Sequence, residues 1–300
     1  MAGIGKAHLR DKKDALLQVE NLVVEYKSPG GGSVQAVSDV SLDIVAGETV
    51  AVVGESGCGK STLAKGVLQL VPATSGSVSL NGTDLTKLKG EALRRARPNI
   101  QMIFQDSISS LDPHLKVRGL VEQPLKVWGR GTEEERRKKV DELLRSVNLD
   151  PEVVGDRKPT EFSGGQCQRI SIARALSLEP QVLVCDEPVS SLDVSIQAQI
   201  LNIIQDMKQR YGLSLLFISH DLSVVRAISD RVIVMYLGRI CEVSTPDKLA
   251  NSPAHHYTHA LVSAVPVADP TLGRRKAILQ GEPPSPTNPP SGCRFRTRCP

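Results

Sequence analysis

Aromatic residues are scarce in this chain of 300 residues. Phe, Trp and Tyr make up 3% of it, although 40% of the residues are hydrophobic. The core must therefore be built from Val, Leu, Ile and Ala. A large excess of charge of one sign is also lacking, because the formal net charge is only +4. Such a small excess does not by itself indicate a nucleic-acid partner. The length is sufficient for a sizeable core in one large domain or two smaller ones.

Long apolar runs are absent from the sequence. None approaches the roughly 20 residues that a bilayer span requires. The N-terminal stretch, MAGIGKAHLRDKKDALL, contains no hydrophobic segment of signal-peptide length. We therefore expect a soluble, cytoplasmic protein, and any role at a membrane would pass through a partner.

Cysteine pairs with CxxC spacing are missing as well. Four cysteines lie scattered through apolar or loop sequence and are typical of reduced thiols in a cytosolic protein: Cys58, Cys167, Cys185 and Cys241. The other two, Cys293 and Cys299, lie in the basic sequence near the end of the chain.

Strand-like runs alternate with helix-like runs along the chain, which predicts an α/β fold with a mainly parallel core sheet. The run TVAVV, before Gly54, is typical of a buried parallel strand, and we expect a helix from near Lys60 to about Val71. The run SPGGGS predicts a flexible turn. Residues 107–165 are expected to be mostly helical, and the Pro- and Gly-rich residues 265–300 to form an extended tail.

The first motif is GESGCGKST, which fits the P-loop pattern and stands between a predicted strand and a predicted helix. Its glycines allow the backbone to curl so that successive N–H groups face phosphate oxygens. Lys60 brings a positive charge to the β- and γ-phosphates, and the Ser61 hydroxyl can ligate Mg²⁺. We expect a nucleotide to be bound by the whole motif: Gly54, Glu55, Ser56, Gly57, Cys58, Gly59, Lys60, Ser61 and Thr62. Modification of Cys58 would then be expected to block binding.

The second motif is VLVCDEP, an apolar strand that ends in two carboxylates. Ligands of α/β sheets bind at the carboxyl ends of the strands. Asp186 is placed to organise Mg²⁺ through water. Glu187 follows directly and could polarise an attacking water.

The third motif is EFSGGQCQR, a second glycine pair ahead of a helix. Ser163 could simply be a helix N-cap. Alternatively, Ser163, Gly164 and Gly165 act in trans and cap the γ-phosphate held by the P-loop of another subunit. Two chains packed head to tail would then share two composite sites, closed by ATP and opened by hydrolysis.

Together these motifs resemble the nucleotide-binding subunit of an ABC transporter, over residues 17 to about 250. The resemblance implies a P-loop NTPase cassette at residues 16–250. That cassette has a RecA-like parallel core sheet, an N-terminal antiparallel β subdomain and a helical subdomain at about 107–165. It also implies an ATPase coupled to transport, with ATP and Mg²⁺ as its ligands.

By the same resemblance, further residues acquire roles. Tyr26 stacks on adenine, and Asp193 ends a loop that crosses the dimer interface. The signature is Ser163, Gly164, Gly165 and Gln166. The catalytic positions are Glu187, His220 and Gln105, and the positions that hold Mg²⁺, through nucleotide and water, are Ser61, Gln105 and Asp186.

Several stretches resemble the branch that imports oligopeptides, dipeptides and nickel. One is FQDSISSLDPHLKVRGLVEQPL, which would face the membrane subunits. Another is SPAHHYTHALVSAVP, for which an exposed histidine-rich turn, or a metal site at His255, His256 and His259, remains an alternative. The third is NPPSGCRFRTRCP, within an extension at residues 251–300. Some relatives hold an iron–sulfur cluster there, and such a cluster normally needs four thiolates. This segment offers only two, Cys293 and Cys299. A simple basic tail is therefore equally open.

The resemblance implies an importer of peptides at the cytoplasmic face of the inner membrane, attached peripherally. Its partners would be two transmembrane permease subunits, a second ABC cassette (identical or homologous) and an extracytoplasmic substrate-binding protein, without nucleic acid. Three alternatives remain open: an importer of nickel or another small solute, an export ATPase, and a soluble ABC protein acting on nucleic acid or ribosomes.

Overall fold

The computed structural model describes residues 6, 8–11, 13–27, 32–265 and 281–300. These form two compact units. One unit combines the described residues up to Gly90 with those from Leu216 onward, and the other spans Glu91–Leu215. Within the described ranges, no helix has both the length and the hydropathy that a bilayer span demands. The predicted SPGGGS turn lies largely outside the described residues.

The strands are numbered in chain order and are short except for the first two. Their bounds are β1 Ala15–Lys27, β2 Ser33–Val45, β3 Thr49–Val53, β4 Ser75–Leu80, β5 Thr83–Asp84, β6 Ile100–Ile103, β7 Val182–Asp186, β8 Ser214–Ile218, β9 Arg231–Tyr236 and β10 Arg239–Ser244.

The helices follow most of the predicted apolar periodicities. Their bounds are α1 Lys60–Val67, α2 Gly90–Ala96, α3 Val117–Val127, α4 Glu133–Ser146, α5 Pro151–Val154, α6 Gly164–Leu176, α7 Val194–Tyr211, α8 Leu222–Ile228, α9 Pro246–Asn251 and α10 His256–Ala264. The prediction that α1 reaches Val71 is wrong, because Gln69 adopts a left-handed conformation with φ 52° and stops the helix.

In the first unit, an antiparallel sheet has the strand order β2-β1-β4-β5. The same unit holds the strand order β10-β9-β3-β8, to which β8 contributes Leu216–Ile218. In it β3 pairs with β9 in parallel and β9 forms an antiparallel hairpin with β10. All residues of β3 are buried, as expected for a strand covered on both faces. The predictions of an antiparallel sheet near the N-terminus and of parallel core strands are confirmed.

A buried charge network ties together distant parts of the first unit. Asp43 is fully buried on β2 and accepts from Arg10 Nε at 2.8 Å and from Arg231 Nη1 at 3.1 Å. Arg10 also pairs with Glu48 at 2.6 Å. Because a buried carboxylate is stable only when it is paired, this network fixes the segment around Arg10 and the start of β9 against β2.

The second unit combines a parallel strand pair with helices. Strand β6 pairs in parallel with β7, with Ile100 opposite Val182 and Ile103 opposite Cys185. Residues 107–165 contain helices and no strand. Helices α3, α4 and α6 pack on one another. A capping box begins α4: the Thr132 N–H donates to Glu135 Oε2 at 2.7 Å, and the Glu135 N–H donates to Thr132 Oγ1 at 3.3 Å.

The C-terminal segment, which we define as residues 281–300, is part of the core of the first unit. Phe295 is only 1% exposed. Its ring lies 5.3 Å from that of Tyr236 and 5.4 Å from that of Tyr257, and we call these three side chains the aromatic cluster. Arg294 is also buried. The alternative of a simple basic tail is therefore wrong, because an arginine and a phenylalanine of this segment are sequestered from solvent. Residues 266–280 of the predicted tail lie outside the described residues.

Candidate functional site

The P-loop, residues 54–62, leads directly from β3 into α1. Gly59 is the N-cap of α1 and has φ 104°, and a Cβ at this position would lie 2.1 Å from the Ala36 carbonyl oxygen. A side chain is therefore excluded both by the backbone conformation and by the neighbouring backbone. The glycines of this motif are required for the loop to curl this tightly.

The Lys60 side chain links the end of the P-loop to its beginning. This side chain is buried, and Nζ donates to the Gly54 carbonyl at 2.8 Å and to the Glu55 carbonyl at 3.0 Å. The lysine therefore holds the beginning of the loop near the start of α1. This contact places an ammonium group inside the loop, and its predicted contact with phosphates remains a prediction.

Two residues that lie far away in the sequence also contact the P-loop. The Glu55 N–H donates to the Tyr257 hydroxyl at 2.8 Å. The Glu55 carboxylate accepts from Arg298 Nη1 at 2.9 Å and from Arg298 Nη2 at 3.3 Å. Neither Tyr257 nor Arg298 is among the predicted site residues. No local sequence pattern marks them, because their partner lies more than 200 positions away.

Cys58 points away from solvent and is 5% exposed. Burial raises the pKa of its thiol, although the nearby Lys60 charge opposes that change. Its carbonyl accepts from the Gly238 N–H at 2.8 Å, in the turn of the β9–β10 hairpin. A thiol in such surroundings is expected to react slowly.

The first unit also carries two other predicted site residues. Tyr26 lies near the end of β1 and is 40% exposed, so its ring has a face open to solvent. His220 is exposed and lies two positions after β8. Their predicted contacts with adenine and γ-phosphate remain predictions.

In the second unit, β7 delivers the two predicted carboxylates. Asp186 is the last residue of the strand and is buried, whereas Glu187 is partly exposed and has φ 46°. A left-handed conformation is uncommon outside glycine and marks a constrained position. Gln105, two residues beyond β6, donates from Nε2 to Glu187 Oε2 at 3.4 Å. The structure therefore brings together two of the three predicted catalytic residues.

The second glycine pair begins α6. Ser163 is the N-cap, and its N–H donates to Gln166 Oε1 at 3.0 Å while the Gln166 N–H donates to Ser163 Oγ at 3.4 Å. Gly164 and Gly165 form the first turn, and a Cβ on Gly165 would lie 2.6 Å from Ile196 Cγ2. Asp193 is the exposed N-cap of α7. The N-cap geometry of Ser163 is thus present, and binding of a partner's nucleotide at this turn remains a prediction.

The histidines and cysteines near the end of the chain do not assemble a metal centre in the described ranges. His255 Nε2 lies 4.0 Å from Cys293 Sγ, and all six cysteines are free thiols. In the part of the chain that the structure describes, no group of three or more His, Cys, Asp or Glu side chains could hold a metal ion. The iron–sulfur alternative and the histidine metal site therefore receive no support.

Comparisons with known proteins agree with this arrangement of motifs. The model of the family described as "ABC transporter" matches residues 37–190, and that described as "Oligopeptide/dipeptide transporter, C-terminal region" matches residues 241–300. The oligopeptide transport ATP-binding protein OppF of Salmonella typhimurium is 49% identical over 97% of this chain and 90% of its own length. A probable peptide ABC transporter ATP-binding protein of Sinorhizobium fredii is 50% identical over 96% of this chain and 83% of its own.

Solved structures give the same result for the fold. A dimeric ATP-binding cassette in a post-hydrolysis state, bound to ADP and Pi, superimposes with a TM-score of 0.70 and 31% identity. The superposition covers 77% of this chain and 98% of that one. A cassette of the cbiONQ transporter complex from Clostridium perfringens also gives a TM-score of 0.70, at 29% identity, and covers 80% of this chain and 92% of that one.

Proposed function

We propose that this chain, which belongs to the ABC transporter family of ATP-binding subunits, hydrolyses ATP to drive the import of peptides. The observation that carries the proposal is the match of residues 241–300 to the C-terminal region of oligopeptide and dipeptide transporters. The identity of 49% to OppF over 97% of the chain supports it. Peptides are thereby favoured over nickel or another small solute as the cargo.

The P-loop would bind the phosphates of ATP. Its backbone N–H groups and the buried Lys60 ammonium would neutralise the charge of the β- and γ-phosphates. Tyr26 would stack on the adenine. The donors proposed for Mg²⁺ are the Ser61 hydroxyl, the Gln105 amide and the Asp186 carboxylate, and such oxygen donors are the kind that Mg²⁺ binds. Bound Mg²⁺ would supply positive charge at the phosphates.

Glu187 would act as the general base on the attacking water. The Gln105 amide donates to this carboxylate at 3.4 Å, so Gln105 would orient the base as well as the water. His220 would contact the γ-phosphate. Each of these groups is present in the chain, and the roles follow the family to which it belongs.

The assembly would be a head-to-tail dimer of cassettes with two permease subunits at the cytoplasmic face of the membrane, supplied by an extracytoplasmic binding protein. Ser163, which is exposed ahead of α6, and the N–H groups of Gly164 and Gly165 would cap the nucleotide on the partner cassette. Residues 16–250 would form the cassette and 251–300 its extension. ATP closure would turn the permease outward, and hydrolysis would reset it.

The test is the substitution Glu187→Gln. We expect ATP binding to persist and the rate of hydrolysis to fall by roughly 100-fold or more, because the amide cannot accept the proton of water. ATP should then hold the variant as a dimer. The measurement combines phosphate release with size-exclusion chromatography in ATP.

Glu142→Gln is the matched control, because Glu142 is an exposed glutamate of α4. It should hydrolyse ATP like the parent. An undiminished rate in Glu187→Gln would disprove the role of Glu187, and a parent chain that binds no ATP would disprove the proposal as a whole. Peptide uptake in vesicles that contain the permease subunits then separates a peptide importer from a nickel importer.

A further inference from the structure

The C-terminal segment reaches the P-loop through a partly buried ion pair. Arg298 donates from both Nη atoms to the Glu55 carboxylate, at 2.9 and 3.3 Å. The Arg298 side chain is 6% exposed, and its Nη1 also lies 3.3 Å from the Tyr236 hydroxyl. A two-pronged guanidinium–carboxylate contact fixes the orientation of both partners. The side chain of the second P-loop residue is therefore set by the C-terminal segment.

The backbone of the same residue is held by a second contact. The Glu55 N–H donates to the hydroxyl of Tyr257, which is fully buried. Burial also raises the pKa of the Tyr257 hydroxyl, which therefore stays neutral. Side chain and amide of Glu55 are thus both held by residues outside the P-loop.

Glu55 lies where its orientation matters for the lysine. The carbonyls of Gly54 and Glu55 both accept from Lys60 Nζ. Rotation of the peptide between Gly54 and Glu55 would therefore displace an acceptor of the phosphate-binding ammonium group. A contact that prevents this rotation keeps the loop in one conformation before nucleotide arrives.

A separate set of contacts joins the C-terminal segment to the far side of the loop. Arg294 donates to the Leu237 carbonyl, to Gln35 Oε1 at 2.8 Å and to Ser38 Oγ at 2.9 Å. Leu237 and Gly238 form the β9–β10 turn, and the Gly238 N–H donates to the Cys58 carbonyl. The segment therefore supports the P-loop directly at Glu55 and through the hairpin turn at Cys58.

We infer that Arg298 and Tyr257 are positioning residues for ATP: they preorganise the P-loop through Glu55. The inference rests on the proposed nucleotide site. Preorganisation lowers the cost of binding. Loss of either contact is therefore expected to weaken ATP binding, while the aromatic cluster continues to hold the fold.

The experiment measures the Kd of the full chain for ATP with Mg²⁺ by titration calorimetry, beside the unfolding temperature without nucleotide. Arg298→Ala should bind ATP roughly five- to tenfold more weakly, and Arg298→Lys should recover part of the loss. Arg296→Ala is the matched control, because Arg296 is exposed on the same segment and contacts Ser291 Oγ at 2.8 Å. It should bind like the parent. Tyr257→Phe keeps the ring and should still weaken binding.

A double variant, Glu55→Ala with Arg298→Ala, tests whether the effect passes through Glu55. The double variant should lose no more affinity for ATP than the weaker-binding of the two single variants, because each substitution alone already removes the contact between Glu55 and Arg298. Affinities of Arg298→Ala and Tyr257→Phe equal to that of Arg296→Ala would overturn the inference. If Arg298→Ala unfolds at a much lower temperature than the parent chain, the ATP affinities of Arg298→Lys and Tyr257→Phe test the inference instead. A parent chain without affinity for ATP would instead overturn the proposed site.

Discussion

At the scale of single residues, the cysteines differ sharply in their surroundings. Cys299 is exposed, whereas Cys58 and Cys185 are buried. Burial raises the pKa of both buried thiols, and at Cys185 the Asp186 carboxylate adds to the effect. The thiolate is the reactive form, so both burial and the higher pKa slow the reaction.

We therefore predict an order of alkylation. Iodoacetamide should label Cys299 first, and Cys58 and Cys185 at least about tenfold more slowly in the folded chain. The labelling of the two buried thiols should accelerate in urea and at higher pH, because a raised pKa leaves less thiolate at neutral pH. Peptide mass spectrometry at successive times measures the extent of labelling at each cysteine. Equal rates at Cys58 and Cys299 would show that the P-loop opens far more than this conformation allows.

The sequence predicted the residue types of the site more completely than their contacts. The P-loop was evident because its pattern is local and its glycines have a steric cause, as at Gly59. The hydrogen bond between Gln105 and Glu187 was not predicted, because it depends on the pairing of β6 with β7. Modification of Cys58 was predicted to block nucleotide binding, but the burial that slows such a reaction was not predicted.

At the scale of elements, α10 begins with an unusual cap. His255 Nδ1 accepts from the Tyr257 N–H at 3.1 Å, and the His255 ring packs 5.7 Å from that of Phe295. Burial lowers the pKa of His255 from 6.5, and the Glu242 carboxylate opposes that shift. The folded chain therefore favours the neutral form of His255, and a proton on Nδ1 would remove the acceptor of the cap.

This predicts a dependence of stability on pH. Below pH 6.5 the unfolded chain binds a proton at His255 that the folded chain resists, so the free energy of unfolding should fall with falling pH. The slope from this one group cannot exceed about 1.4 kcal/mol per pH unit. Urea unfolding between pH 7.5 and 5.5 measures the slope.

His255→Asn should flatten that slope, because asparagine can cap a helix without titrating. His114→Asn is the control, because His114 is exposed and its loss should leave the slope unchanged. A slope that is identical in His255→Asn and the parent would contradict the assignment.

Elements were predicted well where apolar periodicity or alternation was strong. The β9–β10 hairpin turns at Leu237 and Gly238, and both adopt positive φ. Helix α1 was predicted four residues too long, because the left-handed Gln69 has no sequence signal comparable to a glycine. The domain boundary near residue 250 was implied by the family resemblance and remains a prediction.

At the scale of the whole molecule, the C-terminal segment belongs to the core. The aromatic cluster of Tyr236, Tyr257 and Phe295 draws its members from β9, α10 and residue 295. The sequence has few aromatic residues, and three of them meet here. Composition predicted an extended tail because proline and glycine dominate it, and composition does not report which few side chains are buried.

We predict that Phe295→Ala destabilises the chain by about 3–5 kcal/mol, because truncation of a buried ring leaves a cavity. Phe295→Leu should cost less. Phe104→Ala is the control, because Phe104 is 42% exposed and its removal should change stability little. Urea unfolding at neutral pH is the measurement. A Phe295→Ala chain as stable as the Phe104→Ala chain would show that the segment does not contribute to the core.

The contacts of Glu55 have a consequence for biosynthesis. Tyr257 and Arg298 follow Glu55 by 202 and 243 residues. At about 5–20 residues per second, a ribosome makes them roughly 10–50 s after the P-loop has been translated. The nascent chain therefore carries its P-loop for most of its synthesis without these two supports, and the loop acquires its final surroundings only when residues near 298 have emerged.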